Sequence, residues 1–123
     1  MEELIGTYGV LIDPSADFID VVYFPNGIIG LNTLRSTIGC EWVECFSMTD
    51  EIDVWLNEEG FIDGTAERVG TFRIVNGADS RQTIFSGRAL LLTSSDEDCC
   101  GWDEETAEDI KNSLEVKFNE MPW

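Results

Sequence analysis

The chain contains no histidine. That absence removes Ser–His–Asp and Cys–His activation of a nucleophile, and with them the commonest proton shuttle near neutral pH. Positive charge is nearly as scarce. Seven Lys and Arg face 25 Asp and Glu, giving a formal net charge of −18 and a pI near 4.1. Such a chain repels phosphate backbones and anionic membrane surfaces, so direct nucleic-acid and lipid binding are disfavoured. Long apolar runs are missing too. Stretches such as Ala89-Leu90-Leu91-Leu92 fall far short of the ~20 residues that a membrane span needs. No basic start followed by an apolar run marks a secretory leader, so the expected compartment is the cytoplasm of a host cell. There a reducing environment favours free thiols over disulfides for Cys40, Cys45, Cys99 and Cys100.

What is present suits a folded body. A length of 123 residues fits a single domain, 1–123, of which roughly two thirds of the unfolded surface becomes buried. Apolar residues make up 43% and aromatics 11%, too many for a disordered composition despite the charge. The excess of acids speaks to association. It favours cationic protein grooves as partners, with a grip that weakens in salt, and it equally suits a protein that needs only solubility.

Along the chain, residues 9–12 and 17–24 read as strands separated by the turn-prone Asp13-Pro14-Ser15. Pro25-Asn26-Gly27 stops the second. A short helix is predicted over 31–38, because Leu31, Leu34 and Ile38 share one face. Gly39 stands where a helix-ending glycine belongs. Residues 42–47 and 52–56 read as strands joined by Met48-Thr49-Asp50-Glu51, with Glu58-Glu59-Gly60 as a further turn. Residues 71–75 form another strand, ended by Asn76-Gly77. The run 83–92 is nearly all apolar at its end, which predicts a strand buried on both faces with a bulge at Gly87. A helix is predicted over 103–118. Asp103 would cap it, Glu104 and Glu105 suit its positive end, and Lys111 and Lys117 its negative end. Its apolar stripe would be Ala107, Ile110, Leu114 and Phe118. The predicted fold is α+β: a mixed, mainly antiparallel sheet of about five or six strands, with the short helix and the C-terminal helix packed on it.

Several of these segments resemble a family. The run Leu31-Asn32-Thr33-Leu34-Arg35-Ser36-Thr37-Ile38-Gly39-Cys40 is similar to the helix-plus-glycine motif of a bacterial and phage domain-of-unknown-function family, the DUF3846-like group. The likeness continues through Trp42-Val43-Glu44-Cys45, the acidic strand Glu51-Ile52-Asp53-Val54-Trp55-Leu56 and the turn Asn57-Glu58-Glu59-Gly60. Phe85-Ser86-Gly87-Arg88-Ala89-Leu90-Leu91-Leu92 resembles the family's final glycine-containing strand, and the acidic helix from Asp103 is similar as well. The Asn that the family pattern places after its E-G turn has no match in residues 61–68. The resemblance implies a phage or mobile-element protein and carries no catalytic residues across.

Candidate chemistry is thin. Gly27-Ile28-Ile29-Gly30 lacks the spacing and the Lys of a phosphate-cradling loop. Cys40 and Cys45 with the adjacent Cys99-Cys100 lack the usual spacing of a tetrahedral zinc site. Asp96-x-Asp98-x-Cys100-Gly101 begins like a calcium loop, but Cys stands at its fifth position and Ala107 at its twelfth. Acids near Cys99-Cys100 raise thiol pKa values and blunt their reactivity. With 25 acids in the chain, close carboxylate pairs arise without any catalytic cause. No cofactor and no catalytic residue is predicted.

Distribution says more than any pair. Residues 39–63 hold eight acids and no base; from Asp96 to the end there are ten acids and two lysines. If the sheet gathers these segments, Glu41, Glu44, Asp50, Glu51, Asp53, Glu58, Glu59, Asp96, Glu97, Asp98, Glu104, Glu105 and Glu108 would form a partner-binding face near Trp55, Trp102 and Trp123. Acids spaced like phosphates beside aromatics would mimic DNA and occupy the groove of a basic, nucleic-acid-handling or defence protein of the host. Two unrelated solvated faces fit the same counts. The alternative function is an oligomeric sponge for a signalling nucleotide, drawing on Arg35, Arg68, Arg73, Arg81 and Arg88; the sequence leaves the oligomeric state open.

Overall fold

The computed structural model describes residues 7–25, 29–75, 84–93 and 100–119. It is an α+β structure. The chain opens with a hairpin of β1 (Thr7–Asp13) and β2 (Phe18–Phe24), paired antiparallel from Thr7↔Phe24 to Asp13↔Phe18. Asp13 makes the turn: its Oδ1 accepts the Ser15 amide at 3.0 Å and the Ser15 hydroxyl at 2.7 Å, a local bond that replaces backbone pairing. Helix α1 (Leu31–Ile38) follows, with Gly39 closing it in the left-handed conformation at φ 82°. A second hairpin joins β3 (Val43–Ser47) to β4 (Ile52–Asn57). Thr49 sets its tip, its hydroxyl accepting the amides of Glu51 and Ile52.

After a one-turn helix α2 (Thr65–Arg68) come β5 (Thr71–Ile74), β6 (Ile84–Ser86) and β7 (Ala89–Thr93). Helix α3 (Glu104–Ser113) and a short β8 (Val116–Phe118) close the described chain. The strands form two sheets, a five-stranded one in the order β2-β1-β7-β4-β3 and a three-stranded one in the order β6-β5-β8. Every pairing is antiparallel.

Strand β7 is the centre of the larger sheet, and it is covered on both faces as its apolar run predicts. Ala89 and Leu91 point into a core shared with Phe72, Ile74 and Phe85 of the smaller sheet and Ala107 of α3. Leu90 and Leu92 point the other way, onto Leu34 and Ile38 of α1. All four are fully buried. At ~1.5–3 kcal/mol per large apolar side chain, this strand anchors both halves of the core. The molecule is thus layered: α1, then the large sheet, then the small sheet with α3.

Several expectations change. The apolar run 83–92 is two strands, β6 and β7, in different sheets. Gly87 is a corner and not a bulge: its φ of 82° turns the chain from one sheet into the other. The predicted helix over 103–118 ends at Ser113, where Leu114 turns extended. Val116 and Phe118, a strand-like alternation, pair with Ile74 and Phe72. The stripe of Ala107, Ile110, Leu114 and Phe118 still faces one core, its last member arriving from a strand. Lys117 therefore belongs to β8, away from the helix end. Asp103 stands at the N-cap position without a side-chain cap bond. Helix α2 is absent from the sequence reading. The turn residues Asn26, Gly27, Asn76 and Gly77 lie outside the described residues.

Gly87→Ala tests the corner. A Cβ there would lie 2.7 Å from Cγ2 of Thr65 and in a conformation that costs side chains strain, so the variant should lose more than about 1 kcal/mol of stability in urea unfolding.

Candidate binding cleft

The segment between β4 and α2 is built around Asn57, whose side chain is buried. Its Nδ2 donates to Asp63 Oδ2 at 3.0 Å and to Thr65 Oγ1 at 3.1 Å, and its Oδ1 accepts the Glu59 amide at 2.9 Å. Asp63 Oδ1 accepts the Thr65 amide at 2.9 Å and the Thr65 hydroxyl. Donors from Thr65, then Asn57, stabilise the Asp63 carboxylate and pull its pKa down to about 2. Across the loop, the Ser86 hydroxyl donates to the Gly60 carbonyl at 2.7 Å, and the Ala66 amide donates to the same oxygen at 3.1 Å. Gly60 is required by closeness, since a Cβ would sit 2.9 Å from the Ser86 side chain.

Alongside its exposed carboxylates, the loop presents apolar side chains to solvent. Phe61 is 56% exposed and Ile62 84%, and Trp42, at the entry to β3, is 55% exposed. The Trp42 carbonyl accepts the Glu58 amide at 2.9 Å, which ties the two segments together. Beside them a cleft of about 450 Å³ opens between β3 and β6. Phe46, Leu56 and Phe85 line it, Phe61 and Ile62 flank it, and Glu44 and Glu58 supply its carboxylates. The ring centroids of Phe46 and Phe85 lie 5.6 Å apart, so the cleft joins the two sheets over an aromatic contact.

The structure sorts the predicted acids into groups. Glu41, Glu44, Glu58 and Glu59 are exposed at the open end of the β3–β4 hairpin, joined there by Asp63. Asp50 and Glu51 sit at the opposite tip of that hairpin, where they line a second depression with Trp102, Thr106 and Ile110. Asp53 is buried and accepts the Ser47 hydroxyl at 3.1 Å, a structural contact. Glu104, Glu105 and Glu108 belong to α3, which packs on β1 and β2 at the other edge of the large sheet. Glu104 lies beside Tyr8, whose hydroxyl pKa is raised by burial and by that carboxylate. Asp96, Glu97 and Asp98 lie outside the described residues. Trp55 and Trp102 pack into different cores, and Trp123 is outside the described residues. The exposed tryptophan among the acids is Trp42.

Sequence reading missed the Asn57–Asp63–Thr65 network and the outward Phe61 and Ile62. Its signal was Asn57 at a strand end with Asp63-Gly64-Thr65 behind it, an Asx pattern. Among the described residues no group of three or more Cys, Asp and Glu is placed to hold a metal ion. No disulfide joins Cys40, Cys45 or Cys100. No described helix is long and apolar enough to cross a membrane.

A family model described as Domain of unknown function (DUF3846) matches residues 7–115. The chain belongs to the DUF3846 family. The match takes in every described element from β1 to α3, so the whole cleft lies inside the DUF3846 domain. No curated protein and no solved structure matches the chain.

Two outcomes test the network. Asn57→Ala removes three hydrogen bonds, one of them to the buried Thr65 hydroxyl, and should cost about 1–3 kcal/mol in urea unfolding. Because the Asp63 pKa lies below its ordinary 3.8, its contribution is complete above about pH 4 and fades as pH falls toward 2. In Asp63→Asn, the urea midpoint should therefore fall less steeply between pH 4 and pH 2 than in the parent.

Proposed function

We propose that this DUF3846 protein acts by binding a basic protein, with no catalysis of its own, through the acid-rimmed cleft between β3 and β6. The observation that carries this reading is the company kept by Trp42, Phe61 and Ile62. Three large apolar side chains stand exposed on a rigid loop and its neighbour, among Glu41, Glu44, Glu58, Glu59 and Asp63. Aromatic and aliphatic anchors inside a polar rim are what a protein contact surface uses. The carboxylates select cationic partners and speed encounter, while burial of the apolar groups supplies most of the affinity.

The partner class that fits is a nucleic-acid-handling or defence protein of a host cell, whose groove is cationic because it normally holds phosphates. A chain of net charge −18 would compete with DNA for such a groove. The setting we propose is a phage or mobile-element accessory protein acting in the host cytoplasm.

Capture from bacterial lysate on immobilised protein at low and high salt checks this. A basic DNA-binding protein should be retained at low salt and displaced by added duplex DNA. Glu44→Gln/Glu58→Gln should slow association, and Phe61→Ser/Ile62→Ser should weaken retention by ~10-fold or more. Equal capture by the variants, or a partner indifferent to DNA, would overturn the reading.

A further inference from the structure

Strand β2 closes one side of the five-stranded sheet and, at seven residues, is the longest strand at a sheet margin among the described residues. At the opposite side β3 has five residues and carries Glu44, while β6 and β8 at the margins of the small sheet have three each. Edges of this length are usually shielded by proline, lysine, a bulge or a covering element. β2 holds neither proline nor lysine, and its register with β1 runs unbroken from Thr7↔Phe24 to Asp13↔Phe18. Its one charged residue is Asp20; the other six are aliphatic or aromatic.

The ladder decides which backbone groups face outward. Tyr8 exchanges both of its backbone bonds with Trp102, each at 2.8 Å, so it forms a non-bonded pair with Tyr23 opposite it on β2. Alternation along an antiparallel pair then turns the N–H and C=O groups of Ile19, Val21 and Tyr23 away from β1. Val21 shows this directly: its N–H donates at 2.8 Å to Oδ1 of the preceding Asp20. Lys111 Nζ, from α3, donates to that same oxygen at 3.4 Å. Asp20 thus caps the centre of the open edge.

The strand is nearly the same in either direction. Phe18 and Phe24 stand at its ends, Ile19 and Tyr23 inside them, then Asp20 and Val22, with Val21 at the centre. Laid antiparallel against its own copy about Val21, it sets Ile19 opposite Tyr23, Val21 opposite Val21 and Phe18 opposite Phe24. Aromatic and β-branched residues facing each other favour a ladder, and Asp20 falls opposite Val22, so no like charges meet.

We propose that β2 is a self-association edge, on which a second copy of this chain docks antiparallel to give a two-fold dimer with one continuous sheet. Such a contact is isologous and stops at two copies. To pair, Val21 releases its N–H from Asp20, whose carboxylate keeps Lys111. Each copy carries a net charge of −18, which opposes their approach, so salt strengthens this contact. That sign is opposite to the one expected for a basic partner at the cleft, which lies on the β3 side of the sheet.

Sedimentation equilibrium of the full chain, from about 10 μM to about 1 mM in about 20 mM and about 500 mM sodium chloride, tests the edge. The mass should rise from 13.8 kDa toward twice that value and no further. A Kd on the order of 0.1 mM at high salt suits so small a contact, and it should be at least ~10-fold weaker at low salt. Asp20→Ala frees the Val21 amide and should tighten the dimer ~3-fold or more, whereas Glu67→Gln, a charge removed from α2, should leave it as in the parent. Val21→Pro removes an N–H that β1 does not use and should leave a monomer. Tyr23→Glu changes a side chain that is 55% exposed; it should weaken the dimer at least ~10-fold and decides the matter if the proline disturbs the fold. Ile19 and Tyr23 are too far apart along one extended strand to touch, so a nuclear Overhauser effect between them in differently labelled copies should appear. Equal tightening by Glu67→Gln would overturn the role of Asp20. A monomer throughout at high salt, growth past two copies, or a parent-like dimer in folded Val21→Pro or in Tyr23→Glu would overturn the edge.

Discussion

Strand β7 has no polar face. Ala89 and Leu91 on one side and Leu90 and Leu92 on the other must all leave water, and a single sheet exposed on one side would leave half of them wet. The rest of the architecture answers that demand. Helix α1 covers one face, and the smaller sheet with α3 covers the other. Gly9 shows how tight the arrangement is: a Cβ there would come within 3.1 Å of the Leu90 and Leu92 side chains. Gly87 makes the layering continuous by carrying the chain out of the small sheet and straight into the buried strand.

The cleft is a by-product of the same layering. Where the two sheets meet at β3 and β6 they do not close completely, and the loop after β4 fills one end of the gap. Asn57, Asp63, Thr65, Ser86 and the Gly60 carbonyl hold it by hydrogen bonds, while Phe61 and Ile62 stand exposed. Display of apolar side chains among carboxylates distinguishes this corner from the acid-covered surface of α3, where Glu108 lies 3.9 Å from Lys111.

The acids also divide the molecule electrostatically. Those of the β3–β4 open end stand apart from those of α3, because β3 and β2 are opposite edges of one sheet. At the cleft Glu41, Glu44, Glu58 and Glu59 form a local patch, while α3 contributes to the net charge and its long-range field. Between patches the few bases are individually placed. Arg88 is held by Asp13, and Lys111 reaches Asp20 at 3.4 Å.

Periodicity and turn chemistry by themselves determined the α+β class, the boundaries of α1 with its terminal glycine, both hairpins and the double burial of β7. Each is a local signal: Leu34 and Ile38 share a helix face, and Asp13 bonds its own turn whatever surrounds it. Tertiary structure decided the rest. Whether Val116 and Phe118 continue a helix or join a strand depends on β5 offering Ile74 and Phe72 as partners. Whether Gly87 is a bulge or a corner depends on there being a second sheet to leave. Burial of Asp53, exposure of Ile62, and the separation of the acids of α3 from those of β3 follow from strand order, which no short stretch of sequence encodes, because pairing energy is won between residues distant in the chain.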